Sequence, residues 1–191
     1  VQKALAKLSS ARIGAICPLH GLVWRSDPAR VIGLYDRWSR YEADDAAVVI
    51  YASMYGNTAQ MADHIARRIA EAGVRDIRVY DVSKTHVSYL ISEIWRCRGV
   101  LLGSCAYNTQ MFPLMENLTR DLLHAGPKDR LLGVFGTYSW NGGGVKNLNA
   151  FAEQIGWETV APSAEILGRP TCEKYAACDA LADAMACRLK K

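Results

Sequence analysis

Ser53-Met54-Tyr55-Gly56-Asn57-Thr58 follows the apolar run Val48-Val49-Ile50-Tyr51-Ala52 and precedes an amphipathic segment from Ala59 to Ala72. A hydroxyl-rich loop with one glycine between a strand and a helix suits a phosphate, because backbone N–H groups converge there and the helix N-terminus adds partial positive charge. Ser53, Tyr55, Asn57 and Thr58 can each hydrogen-bond a phosphate oxygen, and Gly56 allows a close backbone approach. The loop contains no Lys or Arg. A nucleoside triphosphate loop requires G-K-[ST], and a dinucleotide loop requires G-x-G-x-x-G. Neither is present, so a phosphate monoester held by dipoles and hydroxyls fits best. The other reading of these residues is a capped helix start in which Asn57 or Thr58 merely satisfies orphan N–H groups.

Outward from this loop, β-rich runs alternate with helical patterns. Strands are expected at Ala46 to Ala52, Ile77 to Asp81, Gly99 to Gly103, Leu131 to Gly136 and Thr159 to Leu167. Their apolar residues run continuously rather than alternating, as in strands covered on both faces. Met61, Ile65 and Ile69 fall at i, i+4, i+8; Leu118 with Leu122, and Leu148 with Ala152, fall at i, i+4. Cys178, Leu181, Met185 and Leu189 give the segment Glu173 to Leu189 the same helical period. Five strands interleaved with helices make an α/β fold, a doubly wound parallel sheet with right-handed crossovers and helices on both faces.

That domain takes residues 46–191 and leaves residues 1–45 as a short appendage. The appendage has an amphipathic start at Ala4 to Leu8, an apolar run at Ile13 to Ile16 and the turn Pro18-Leu19-His20-Gly21. Val31, Leu34, Tyr35 and Trp38 suit a short helix, and Glu42 to Asp45 read as a polar linker. A start at Val1 rather than Met is compatible with a piece of a longer polypeptide, with leader processing, or with numbering.

Composition narrows the function classes. The formal net charge of +4 is spread among acids with no basic run, which argues against a nucleic-acid surface and allows at most a mild preference for acidic partners. No apolar run approaches the roughly 20 residues needed to span a bilayer. The six cysteines lack C-x-x-C spacing and read as mostly buried thiols of a reducing cytoplasm.

Two further loops leave strand ends, where doubly wound sheets bind ligands. Gly103-Ser104-Cys105-Ala106-Tyr107-Asn108-Thr109-Gln110-Met111-Phe112-Pro113 offers backbone donors, an aromatic ring and little charge. Gly136-Thr137-Tyr138-Ser139-Trp140-Asn141-Gly142-Gly143-Gly144 adds two aromatics and a glycine run. Together they can enclose a flat, partly polar ring system by stacking and backbone hydrogen bonds. Taken singly, an aromatic in a loop is commonly a surface staple, and three glycines a loose connection.

With these residues in place, 46–191 resembles a flavodoxin-like FMN domain. Ser53, Gly56, Asn57 and Thr58 match the fingerprint T/S-x-T-G-N-T, with Tyr55 in place of the usual threonine. Ser-Met-Tyr-Gly-Asn-Thr, with Gly-Thr-Tyr-Ser-Trp-Asn-Gly-Gly before a helix, is similar to the flavodoxin domain of flavodiiron proteins, also called A-type flavoproteins. Ile16-Cys17-Pro18-Leu19-His20-Gly21 with Trp24-Arg25 resembles the end of that family's metallo-β-lactamase-like domain. The resemblance implies a five-stranded sheet in the order 2-1-3-4-5. It implies an FMN site built from Ser53, Met54, Tyr55, Gly56, Asn57, Thr58, Ser104, Cys105, Ala106, Tyr107, Asn108, Thr137, Tyr138, Trp140, Gly142 and Gly143. Tyr107 and Trp140 are expected to flank the ring ahead of Tyr138, while Ser104 and the backbone of Cys105 to Asn108 reach its polar edge. Where the family commonly has Pro-Thr, this chain has Cys105-Ala106, which bears on affinity and reduction potential. Cys105 is also the one thiol whose position suggests redox activity.

The resemblance further implies that electrons pass from a rubredoxin or a flavin reductase through FMN to a diiron centre that reduces dioxygen or nitric oxide, in a head-to-tail homodimer. His20 corresponds to a ligand of that iron. Without the metal domain it is expected to bind none, because His64, His86 and His124 lie within the flavodoxin-like part and no H-x-[HE]-x-D-H cluster occurs; on the sequence alone His20 reads as a capping or hydrogen-bonding histidine. A stand-alone flavodoxin-like NAD(P)H:quinone oxidoreductase is the alternative, but it leaves the Pro-Leu-His-Gly appendage unexplained. A receiver-type regulatory domain would need clustered acids at the end of the first strand, where Ala52-Ser53-Met54-Tyr55 stands.

Overall fold

The computed structural model describes residues 1–190. The chain divides into two compact units at the Ala43/Asp44 junction. The first holds α1 (Gln2–Leu8) and α2 (Pro28–Ser39), with an antiparallel bridge between Ile16 and Trp24. Asp27 caps α2 by accepting from Arg30 N–H, and Pro28 opens the helix where its missing donor costs nothing. Gln2 ties α1 to Asp36 and Ser39 of α2.

The second unit is the doubly wound sheet. Its elements are β1 (Asp44–Ala52), α3 (Asn57–Glu71), β2 (Ile77–Asp81), α4 (Val87–Arg96), β3 (Cys97–Tyr107), β4 (Gln110–Met111), α5 (Pro113–Ala125), β5 (Leu131–Tyr138), α6 (Gly144–Ile155), β6 (Glu158–Thr159), β7 (Ala164–Leu167) and α7 (Ala176–Leu189). The order is β2-β1-β3-β5-β6, with β7 also parallel to β5 and β4 antiparallel to β3. This is the expected 2-1-3-4-5 arrangement with its last strand in two pieces. Pro162 lies in the gap and has no N–H for a ladder.

Alternation along the central strands explains the two layers of helix. Ala46, Val48, Ile50 and Ala52 of β1 join Leu90, Leu118, Leu122 and Leu148 from α4, α5 and α6 in one core. Ala47 and Val49 join Met61, Ile65 and Ile69 of α3 and Leu181, Met185 and Leu189 of α7 in the other. Both faces of β1 are dry, which is why its sequence is a continuous apolar run.

Several boundaries differ from expectation. Asp44 and Asp45, read as linker, begin β1; Arg98 holds Asp45 at 3.0 Å. The third strand runs four residues past Gly103, so Ser104 to Tyr107 are strand rather than loop, and Thr137 and Tyr138 likewise end β5. The short hairpin of β3 with β4 was not foreseen. The six cysteines divide evenly: Cys97, Cys105 and Cys178 are buried, while Cys17, Cys172 and Cys187 are exposed. Burial pushes Cys97 and Cys178 up to about 12, so neither supplies thiolate near neutral pH.

Candidate functional site

The three loops meet. Met54 and Tyr55, Ala106 to Thr109, and Ser139 to Asn141 line a single cleft of about 710 Å3 beyond the C-terminal ends of β1, β3 and β5. None of these side chains is charged, and four of the large apolar or aromatic ones stand open to solvent: Met54, Tyr55, Tyr107 and Trp140. Tyr107 and Trp140 are on the cleft, whereas Tyr138 is not among its walls. Tyr107 is propped edge-on by Phe112, with ring centroids 6.1 Å apart.

The first loop has the chemistry of an anion cradle. Gly56 sits at φ +84, a conformation costly for any residue with a Cβ, and turns the chain into α3. Its N–H donates to Ser53 Oγ at 3.1 Å. The first bond of the helix proper runs from Gln60 N–H to Gly56 C=O, and no side chain caps the N-terminus. The N–H groups of Asn57, Thr58 and Ala59 therefore stand outside the helical ladder, at the positive end of the helix dipole. The capped-start reading does not hold, because neither Asn57 nor Thr58 makes a side-chain bond to the helix end, and the Thr58 hydroxyl lies 2.8 Å from that of Thr137.

The second loop is a tight hairpin. Asn108 and Thr109 both have positive φ, +49 and +61, as a two-residue turn of the primed type demands. A β-branched residue seldom adopts this conformation, so Thr109 holds local strain beside the cleft. Ser104 is fully buried; its hydroxyl donates to Cys105 C=O at 2.8 Å and accepts from Phe112 N–H at 2.9 Å. It fastens the base of the hairpin and does not face the cleft. The Cys105 thiol is buried too, and desolvation raises its pKa against the pull of the Met54 and Cys105 backbone N–H groups.

The glycine run of the third loop is a close-packed contact rather than a loose connection. A Cβ on Gly143 would lie 2.3 Å from Thr109 C=O, one on Gly144 2.8 Å from Ser104 C=O, and one on Gly136 2.3 Å from that same oxygen. Only backbone without side chains lets this loop lie against the hairpin. Gly142 is exposed and faces Glu165. Loops one and three are joined by Thr58 and Thr137, and loops two and three by the glycines.

Ser53, Gly56, Asn57, Thr58, Ser104, Cys105, Thr137, Tyr138, Gly142 and Gly143 thus stand behind or beside the walls, while Met54, Tyr55, Ala106, Tyr107, Asn108 and Trp140 form them. Thr109, Ser139 and Asn141 complete the lining and were not singled out from sequence. A two-residue connection between β-rich runs was the available signal for Thr109. His20, in the other unit, is exposed. Among the described residues no three His, Cys, Asp or Glu side chains gather as a metal site. No helix among them is long and apolar enough to cross a membrane.

Fold and site together define a doubly wound α/β protein with an uncapped helix start after β1 and an aromatic cleft. The chain belongs to the flavodoxin family, whose model matches residues 49–180. Among curated proteins it is similar to the anaerobic nitric oxide reductase flavorubredoxins. That of Pectobacterium carotovorum subsp. carotovorum is 32% identical over 149 residues, 77% of this chain and 29% of the relative. That of Escherichia coli O1:K1 is 29% identical over 147 residues, 76% of this chain and 31% of the relative. The chain therefore spans about a third of the length of these relatives. Among solved structures, rubredoxin oxygen:oxidoreductase from Desulfovibrio gigas shares the fold with a TM-score of 0.90 at 24% identity, over 99% of this chain and 48% of its own. An archaeal flavodoxin aligns with a TM-score of 0.68 at 25% identity, over 76% of this chain and 99% of its own.

A flavodoxin domain implies FMN, and the donor set present here fits that molecule. The unladdered N–H groups and hydroxyls of the first loop suit a phosphate monoester, and the neutral aromatic cleft suits a flat heterocycle.

Proposed function

We propose that this chain binds FMN non-covalently and serves as the electron-transfer domain of a flavodiiron-type oxidoreductase. The observation that carries the reading is the convergence of a cation-free phosphate loop and two aromatic loops on one cleft. Ser53, Asn57 and the N–H groups that open α3 would hold the phosphate. Tyr107 and Trp140 would flank the ring, and the backbone of Cys105 to Asn108 would meet its polar edge. When bound, FMN supplies one- and two-electron redox chemistry; the residues around it bind, orient and shield it.

The donor in this reading is a rubredoxin or a flavin reductase, and the acceptor is a diiron centre reducing dioxygen or nitric oxide. Support for that context is the alignment with the Desulfovibrio gigas enzyme over 99% of the chain, where the archaeal flavodoxin aligns with 76%. Residues 1–43 would then be the end of a metallo-β-lactamase-like domain, with His20 joining iron ligands from outside this sequence. A head-to-tail homodimer, in a cytoplasmic setting, would bring FMN of one subunit to the iron of another.

The test is the visible spectrum of the purified chain, with the released chromophore identified by mass and iron assayed on the same sample. FMN near one per chain supports the reading, and oxidation of NAD(P)H by the chain alone would favour the quinone reductase instead. A colourless chain that cannot be reconstituted with FMN sinks it.

A further inference from the structure

We infer that Thr137 is a positioning residue for phosphate recognition, acting through Thr58 and never touching the ligand; the inference rests on the FMN reading above. Thr58 is fully buried and Thr137 is 6% exposed, and their hydroxyl oxygens lie 2.8 Å apart, the ordinary O–H···O distance. The two residues are 79 positions apart in the chain, so this contact exists only in the folded molecule.

Each end of the bond is anchored differently. Thr137 is held from both sides, paired with Cys105 of β3 and with Ile166 of β7, so its backbone is fixed by the sheet. Thr58 belongs to the first turn of α3, the turn whose N–H groups have no side-chain cap. A local capping bond would spend that hydroxyl on the helix end. Here the hydroxyl is spent on the sheet, and the helix end is left as a set of unclaimed donors. The bond thus sets how far those donors stand from β5 and from the third loop that β5 leads into.

Removing the bond should harm the phosphate end of the site and spare the ring end, because Tyr107 and the hairpin are held by Phe112 and Ser104, and the third loop that carries Trp140 is held against the hairpin by Gly143 and Gly144. FMN and riboflavin share one ring system and differ by the phosphate, so the ratio of their affinities isolates the effect. Thr137→Val keeps the shape of the side chain, deletes its hydroxyl and leaves Thr58 with a buried hydroxyl lacking this partner. Thr137→Ser keeps the hydroxyl.

The experiment is flavin-fluorescence titration of the apo chain and its variants with FMN and with riboflavin. For Thr137→Val the FMN Kd should rise about tenfold while riboflavin stays within about twofold, a loss of the size expected for stranding one buried hydroxyl. Thr137→Ser should restore FMN binding. Thr58→Val deletes the partner hydroxyl, which can also meet the phosphate itself, so it should weaken FMN at least as much while sparing riboflavin, and the test does not hang on one variant folding. The double variant should be no worse than Thr58→Val, because Thr137 acts only through that hydroxyl. Equal weakening of both flavins, no weakening of either, or failure of the serine variant overturns the inference while leaving the FMN reading intact. A wild-type chain that binds neither flavin overturns the FMN reading and this inference with it.

Discussion

The two ends of the parallel sheet are built from different materials. At the N-terminal ends of the strands, Arg96 reaches Asp76, Glu93 and Asp44, Arg98 reaches Asp45, Arg78 reaches Asp76, and Arg188 pairs with Glu158. At the C-terminal ends, the cleft walls carry no charge, and the loops are held by one hydroxyl pair, by Ser104 on backbone groups and by glycines packed against carbonyl oxygens. A parallel sheet makes this segregation possible, because every strand delivers its C-terminal end to one side. Charges at the far end are partly exposed and individually weak, so they can be lost without reaching the ligand side. Contacts at the near end are short and buried, so small changes there should be felt at once.

The largest expected effect is at the glycines. Gly143→Val places side-chain atoms where Thr109 C=O already stands, and flavin binding should fall at least about a hundredfold, some 3 kcal/mol, in a fluorescence titration. Unchanged binding would mean that the hairpin yields easily and that the near end is not closely packed. Gly136→Ala meets Ser104 C=O within the central sheet and should cost about 1–3 kcal/mol in urea unfolding, the range of an overpacked interior.

At the opposite end the effects should be smaller and should titrate. Arg96 holds the Asp76 carboxyl below the usual carboxylate range, with Arg78 adding to it. A carboxyl depressed by folding contributes stability above its unfolded pKa of about 4 and loses that contribution as pH falls through its folded value. Arg96→Met should therefore cost under about 1 kcal/mol at pH 7, with the gap to wild type closing below about pH 4. Flavin affinity at pH 7 should not move. A large loss of FMN binding in this variant would break the separation of the two ends.

The smallest effect expected is of salt. A site without a charged wall gives screening little to act on, so the FMN Kd should change less than about threefold between 0.05 and 0.5 M salt. A steep dependence would mean that Lys or Arg outside the cleft reaches the phosphate.

Much of the fold was legible because its signals are local. The buried runs of β1, β3 and β5, the spacing of Met61, Ile65 and Ile69, and a glycine-containing turn before a helix are each read within a few residues. The split of the last strand and the β3–β4 hairpin were missed, because a proline gap and a two-residue turn look like ordinary loop chemistry until pairing is known. The candidate site was legible as three loops and less so as individual roles.

What the sequence by itself determined was the class of fold, the three loops that meet at one cleft, and the absence of cationic side chains from the first of them. What only the tertiary structure decided was the direction each polar group faces. Ser104 and Thr58 are buried, Thr137 joins the start of α3, and three glycines become a packing surface. The reason is physical: a hydroxyl takes whichever partner the fold brings within about 3 Å, and that partner can be 79 residues away, set by strand pairing rather than by any local preference.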